Sequence, residues 1–139
     1  MKNLDKISDR DVSHLAYAYG VRNVGNPELH KVFNARIIEM ADRLDYPSLF
    51  NVIYYLLFKE NGDLNLWKRI IQTTNYIEDV LPLVYYRPFK AAAVYLKGRF
   101  PELKKDEAFD DFNHKFWYAE RYFTPLKQEH YAYEDPAYY

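Results

Sequence analysis

The residues best suited to chemistry form one short acidic stretch. Asp111 and His114 stand three residues apart, with Glu107 and Asp110 close by. On a helix this spacing places carboxylates and an imidazole within one or two turns, as in the metal sites of helical bundles. A dinuclear site needs a second such motif, and the sequence has none elsewhere. We therefore interpret the stretch as a solvated helix face and predict that the protein binds no metal or other cofactor.

Nothing else in the sequence is typical of an enzyme. His14, His30 and His130 are not accompanied by a nucleophile motif, and the absence of cysteine excludes thiol catalysis and thiolate zinc sites. The four glycines never cluster into a phosphate-binding loop. The sequence predicts a protein that is not an enzyme.

Hydrophobic spacing predicts the elements that carry these residues. Two similar helical hairpins are related by a shift of 37 positions, which sets Val12 over Leu49 and Phe33 over Ile70. Ser8 is predicted to cap a helix from about residue 9 to 22, and a second helix runs from Pro27 to about residue 44. In the second hairpin Asp45 is the cap, and residues 61–63 supply the turn and the next cap. The residues predicted to face inward are Val12, Leu15, Ala16, Tyr19, Leu29, Phe33, Ile37, Met40, Ala41, Leu44, Leu66, Trp67, Ile70, Ile71 and Ile77.

A third hairpin is less regular. Its first helix is predicted to begin at Pro88 and to end near Gly98, and its second to span about residues 106–123. The inward stripe of the second helix is predicted to consist of Phe109, Phe112, Phe116 and Ala119. Residues 124–139 have no helical or strand period. The chain is thus predicted to be all-α, with about six helices in three stacked hairpins. They would form a short α-solenoid or bundle over residues 1–123, followed by an extended C-terminal tail, 124–139.

Charge is unevenly distributed along a chain whose net charge is −1. Residues 85–105 carry six basic side chains against one glutamate, and residues 106–139 carry three against eight acids. The basic segment could contact RNA phosphates or an acidic partner, or the two segments could neutralise each other within the fold. The longest apolar run, residues 52–58, is far shorter than the roughly 20 residues of a membrane span, which predicts a protein peripheral to a membrane at most. The six basic residues are Arg87, Lys90, Lys97, Arg99, Lys104 and Lys105.

Aromatic residues are unusually numerous, with 15 Tyr and 9 Phe. Tyrosines near the ends of the hairpins could stack on bases, fill a partner's pockets or pack into the core. Those in the tail belong to no predicted element, and tyrosine is enriched at protein interfaces. The tail is therefore predicted to lie across a neighbouring protein subunit. The edge tyrosines are Tyr46, Tyr54, Tyr55, Tyr76, Tyr85 and Tyr86, and the tail contacts are Tyr131, Tyr133, Pro136, Tyr138 and Tyr139.

The segments SDRDVSHLAYAYGVRNVGNPELHKVFNARIIE and YPSLFNVIYYLLFKENGDLNLWKRII resemble organellar helical-hairpin repeats of the FAST-kinase-like and heptatricopeptide type. The resemblance covers about residues 5–77. It implies a mitochondrial or chloroplast protein, and arrays of this type generally bind RNA. No cleavable presequence is visible, so import would use another route.

The net charge of the chain is close to zero, which favours protein neighbours over RNA, because an RNA-bound chain is expected to carry a broad basic surface. The sequence therefore predicts a non-catalytic accessory subunit of a mitochondrial multiprotein assembly. A respiratory-chain complex or ATP synthase is favoured over the mitochondrial ribosome. The alternative is an organellar helical-repeat protein that binds RNA.

Overall fold

The computed structural model describes residues 6–22, 27–77 and 83–115. Within these ranges the chain forms helices and no β-strand, so the predicted all-α fold with about six helices is confirmed. The elements are α1 (Asp9–Val21), α2 (Pro27–Met40), a 3-10 helix (Ala41–Arg43), α3 (Tyr46–Phe58), α4 (Leu64–Tyr76), α5 (Leu83–Arg99), a second 3-10 helix (Pro101–Lys105) and α6, which is helical over residues 107–115.

Four helices begin at a side chain that accepts a hydrogen bond from the backbone N–H three residues later. The acceptors are Ser8, Asp45, Asp63 and Asp106, with donor–acceptor distances of 2.9–3.1 Å. Each such cap satisfies an N–H group that has no partner within its helix and stabilises the helix by about 1 kcal/mol. The caps predicted at Ser8, Asp45 and Asp63 are confirmed.

The predicted turn between α3 and α4 is also confirmed. Gly62 has φ = +93°, a conformation that strongly favours glycine. A Cβ atom there would lie 3.1 Å from both the Leu56 side chain and the Trp67 indole nitrogen. The Asn61 side-chain oxygen accepts a hydrogen bond of 2.7 Å from the Gly62 N–H, which fixes the turn.

Equivalent helices of successive hairpins stack on one another, as expected for a short α-solenoid. The first layer consists of α1, α3 and α5, with α3 in the middle. Val12 and Ala16 of α1 are fully buried, and a Cβ atom on Gly20 would lie only 3.0 Å from the Tyr55 Cα. Small residues therefore let α1 and α3 approach closely.

The second layer consists of α2, α4 and α6, and is held by side chains that donate to backbone carbonyl groups. Thr73 of α4 donates to the Ala41 carbonyl at 2.8 Å, and Arg69 donates to the Ile38 carbonyl at 3.0 Å. On the other side of α4, Asn75 donates to the Ala108 carbonyl of α6 at 2.9 Å. Ile38 and Ala41 lie near the C-terminal end of α2, where carbonyl groups can lack intrahelical donors.

One core runs between the two layers. Most of the residues predicted to face inward lie in it, but Leu15 does not, because its side chain is 39% exposed. Helix α1 uses positions 12, 16 and 20 to face α3, and Leu15 lies about 100° around the helix from Ala16. Tyr19, Leu29 and Ile77 are half-buried at the edge of the core. The predicted positions that are buried are Val12, Ala16, Phe33, Ile37, Met40, Ala41, Leu44, Leu66, Trp67, Ile70, Ile71, Phe109 and Phe112.

The prediction that the third hairpin begins at Pro88 is wrong. Helix α5 begins at Leu83, and Pro88 lies inside it. Proline lacks the N–H that would bond to the carbonyl four residues earlier. Because Pro88 lies near the start of the helix, only one hydrogen bond is lost there. Burial of Phe89, Ala92 and Leu96 holds the helix against the core despite that loss.

Candidate interaction surface

Helix α3 has two different faces and no charged residue along its thirteen positions. Its inner face includes Leu49, Val52 and Leu56, which are fully buried. Its outer face carries Phe50, Tyr54 and Phe58, which recur every four residues and so form a ridge along one side of the helix. The Phe58 side chain is 52% exposed, whereas soluble helices normally place polar residues on their outer face.

These rings join Tyr17 of α1 in one contiguous cluster, which we call the aromatic row: Tyr17, Phe50, Tyr54 and Phe58. Tyr54 is at its centre, with its ring centroid 4.8 Å from Phe50, 5.8 Å from Tyr17 and 5.4 Å from Phe58. Tyr17, Phe50 and Tyr54 are half-buried. The outer side of the first layer therefore presents aromatic surface across α1 and α3.

Tyr54 also connects the aromatic row to α5. Burial is the main cause that raises the pKa of Tyr54, and the neighbouring Tyr17 hydroxyl raises it further. Arg87 acts in the opposite direction, because its positive charge favours the tyrosinate. The Arg87 guanidinium therefore lies close enough to Tyr54 to act on its hydroxyl.

Helix α5 continues this surface with basic residues. Four residues of α5 recur at steps of four, three and four, so they share one face of the helix. They are Arg87, Ala91, Val94 and Gly98. Val94 is 66% exposed, and a Cβ atom on Gly98 would meet no atom within 4 Å. Lys90 and Lys97 border this face one residue to the side. We call Arg87, Lys90, Val94 and Lys97 the basic stripe.

The six predicted basic residues do not all belong to this stripe. Arg99 lies on another side of α5, where its guanidinium is 4.8 Å from the centre of the Phe100 ring. Lys104 and Lys105 are exposed on the 3-10 helix that follows. The structure therefore brings Arg87, Lys90 and Lys97 together and separates the other three from them.

The side chains with potential for catalysis lie exposed on one helix or are used in the fold. Glu107, Asp110, Asp111 and His114 are exposed on α6. Across the described ranges, no group of three or more His, Asp or Glu side chains could hold a metal ion. The Ser13 hydroxyl donates to the Arg10 carbonyl at 2.7 Å.

Tyr55 has a structural role although it was grouped with the edge tyrosines. Its side chain is fully buried, and its hydroxyl donates to the Asn34 side-chain oxygen at 3.1 Å and accepts from Asn61 at 3.0 Å. Burial, the main cause, raises the pKa of Tyr55. Of the other edge tyrosines, Tyr46 is half-buried and Tyr76 is 77% exposed. The side chains of residues 85 and 86 lie outside the described part of the structure.

The predicted tail contacts, His130 and the predicted inward residues Phe116 and Ala119 also lie outside the described residues, so the tail remains a prediction. A cleft between α2 and α4, lined in part by Asn34 and Asp63, measures about 190 Å³. This volume is below the range of roughly 300–1,000 Å³ that is usual for small-molecule pockets. The exposed aromatic and basic face of α3 and α5 is the better candidate for binding.

The aromatic row is not recognisable as a unit in the sequence. Tyr17, Phe50 and Phe58 do not belong to the residues that the sequence patterns single out. A signal was present in the aromatic residues spaced by four on an uncharged helix, but that pattern is equally expected of a fully buried helix. Only the packing of α1 and α5 beside α3 shows which face remains outside.

Comparison with known proteins adds no identification. The sequence matches no family model, and neither the curated proteins nor the solved structures contain a match to it. Among the described helices, none combines the length and the apolar character required to cross a membrane.

Proposed function

We propose that this protein is a non-catalytic accessory subunit that joins a multiprotein assembly through the outer face of its first helical layer. The observation that carries this proposal is the aromatic row, where an uncharged helix leaves Phe58 more than half exposed beside Tyr54 and Phe50. Contiguous exposed apolar surface with a polar border is typical of protein-binding sites. Aromatic residues and arginine are enriched in such interfaces.

Two features favour a protein over RNA as the bound partner. The Tyr54 and Phe58 rings stack on one another, with their planes 13° apart, so this pair leaves no space between the rings for a base. The chain as a whole has a net charge of −1, whereas RNA-binding domains usually carry a strongly basic surface. RNA binding through the basic residues of segment 85–105 is the second candidate, favoured by the exposure of Lys97, Arg99, Lys104 and Lys105.

The mitochondrial setting of the proposal rests on the resemblance of residues 5–77 to organellar repeats. Within that setting, a respiratory-chain complex or ATP synthase is preferred to the mitochondrial ribosome, because near neutrality favours a protein neighbour over ribosomal RNA. Imaging the tagged full chain together with a mitochondrial marker tests the location. Signal outside mitochondria would contradict it.

Purification of the tagged full chain from its own cells, with and without nuclease, tests the subunit role. We expect the chain to migrate in a large, nuclease-resistant assembly, and Phe58→Asp to release it by placing a charge in the aromatic row. The matched control is Tyr76→Asp, since Tyr76 is an exposed aromatic residue on α4. Equal recovery of partners with both variants, or loss of partners with nuclease, would contradict the proposal.

A further inference from the structure

We infer that the partner segment seated on this face is an amphipathic α-helix with acidic residues along one flank. The inference rests on the proposed function and specifies the chemistry of the partner. It follows from the shape and charge of the surface formed by α3 and α5, which are packed neighbours in the first layer.

The shape of this surface suits a helix. Packed helices lie about 8–10 Å apart, so two adjacent helices leave a groove between their outer ridges that can hold a third. One ridge is the aromatic row on α3, which runs over two helical turns, or about 12 Å, from Phe50 to Phe58. The other follows α5, where Ala91 and Gly98 are small and Val94 is exposed. Small side chains on one wall and rings on the other favour the apolar face of an amphipathic helix.

The charge of this surface determines which residues the partner helix carries along its flank. Helix α3 has no charged residue, and α5 has four basic residues and no acidic one. Three of these, Arg87, Lys90 and Lys97, belong to the basic stripe on α5, and Arg87 acts electrostatically on Tyr54 of the aromatic row. A partner helix that places its apolar face on the rings would bring one flank beside this stripe, where carboxylates are attracted and cations repelled.

The inference can be tested with the purified full-length protein and two synthetic helical peptides. Both peptides carry the same leucine face, and one has glutamate along a flank where the other has lysine. We expect fluorescence anisotropy to detect binding of the glutamate peptide, weakened by added salt, and weaker or no binding of the lysine peptide. Two further probes, oligouridylate and vesicles of anionic phospholipid, represent RNA and a membrane surface.

Charge reversal locates the contact. Lys97→Glu is expected to weaken binding of the glutamate peptide about fivefold, because an exposed attraction becomes a repulsion of similar size. Lys31→Glu is the matched control, since Lys31 is exposed on α2 in the other layer and the variant changes the net charge equally. Both variants replace exposed side chains, and circular dichroism checks that each remains folded.

Three results would overturn the inference. The first is equal affinity for the two peptides, which would show apolar binding without charge selection. The second is that the glutamate peptide does not bind. The third is that the protein binds oligouridylate or vesicles, and that Lys97→Glu weakens this binding but not the binding of the peptide. The subunit role would be contradicted separately, by assembly that does not depend on Phe58.

Discussion

The two faces of α3 contain similar residues but differ in what surrounds them. Tyr55 on the inner face is fully buried, and its hydroxyl is bonded to Asn34 and Asn61. Tyr54, one residue earlier, is half-buried among the rings of the aromatic row at the surface. Residue type alone therefore does not distinguish an aromatic side chain that stabilises the fold from one available for binding. Substitutions on the inner face are therefore expected to reduce stability, and substitutions on the outer face to reduce binding.

The largest expected difference in the free energy of unfolding is between the variants Leu56→Ala and Phe58→Ala. Leu56 is fully buried, so its truncation leaves a cavity and should lower the free energy of unfolding by about 2–5 kcal/mol. Phe58 is 52% exposed, and its truncation should cost about 1 kcal/mol or less. Urea unfolding followed by circular dichroism measures both. Equal losses would mean that the outer face belongs to the folding core.

The next comparison is between two glycines, whose replacement by alanine is expected to change the stability of the protein in opposite directions. A Cβ on Gly20 would press on the Tyr55 backbone at 3.0 Å, so Gly20→Ala should destabilise the protein by about 1–3 kcal/mol. At Gly98 the space is open, and alanine has the higher helix propensity. Gly98→Ala should therefore stabilise by up to about 1 kcal/mol. Thermal unfolding of the two variants checks this, and destabilisation by both would show that α5 is less open than described.

The adjacent tyrosines allow a comparison that removes only a hydroxyl. Tyr55→Phe leaves the half-buried Asn34 and Asn61 side chains without one hydrogen-bond partner and should cost about 0.5–1.5 kcal/mol. Tyr54→Phe should change stability by no more than about 0.5 kcal/mol, because the surface ring is retained. Denaturant unfolding measures the difference. Equal effects would contradict a purely structural role for the Tyr55 hydroxyl.

The smallest expected effect concerns pH and His30, which lies beside the inner-face network. Its ring centroid is 5.7 Å from Tyr19 and 6.3 Å from Tyr55, and its buried Nε2 atom has no hydrogen-bond partner among the described residues. Burial, followed by the charge of Lys59, lowers the pKa of His30 from its ordinary value of 6.5. Below about pH 6.5 the unfolded chain therefore binds more protons at this site, and stability falls as the pH decreases.

A comparison of wild type and His30→Gln isolates this contribution. Between about pH 7.5 and about pH 5.5, the wild type should lose more stability than the variant, because only the wild type carries the titrating imidazole. Equilibrium unfolding at the two pH values measures both losses. An equal loss in the two proteins would mean that His30 is not kept neutral by the fold.

Local sequence patterns predicted the helix caps and the turn between α3 and α4 correctly. The caps at Ser8, Asp45 and Asp63 and the turn at Gly62 depend on neighbouring residues, and each is where the sequence placed it. The prediction for Pro88 failed because a local rule for helix starts was overridden by packing of the residues that follow. Hydrophobic spacing identified most buried positions, but Leu15 is exposed because only tertiary packing determines which side of α1 faces α3.

The candidate surface was less predictable than the fold. The basic residues of α5 were identified, but their division between the basic stripe and other positions depends on the orientation of the helix. The aromatic row depends on α1 and α3 lying side by side, and no local pattern distinguishes Tyr54 from Tyr55. Its members come from positions 17, 50, 54 and 58, so long-range packing had to bring them together.

The most direct test of the central claim is site-specific photo-crosslinking of the full chain in its own cells. A benzophenone amino acid replaces Phe58 on the outer face of α3 in one variant and Tyr76 on α4 in another. Both side chains are exposed, at 52% and 77%, so accessibility alone does not favour position 58. We predict a discrete protein crosslink from position 58 and none from position 76. Failure of position 58 to crosslink to a protein, or the same product from both positions, would contradict the assignment of this face as the docking surface.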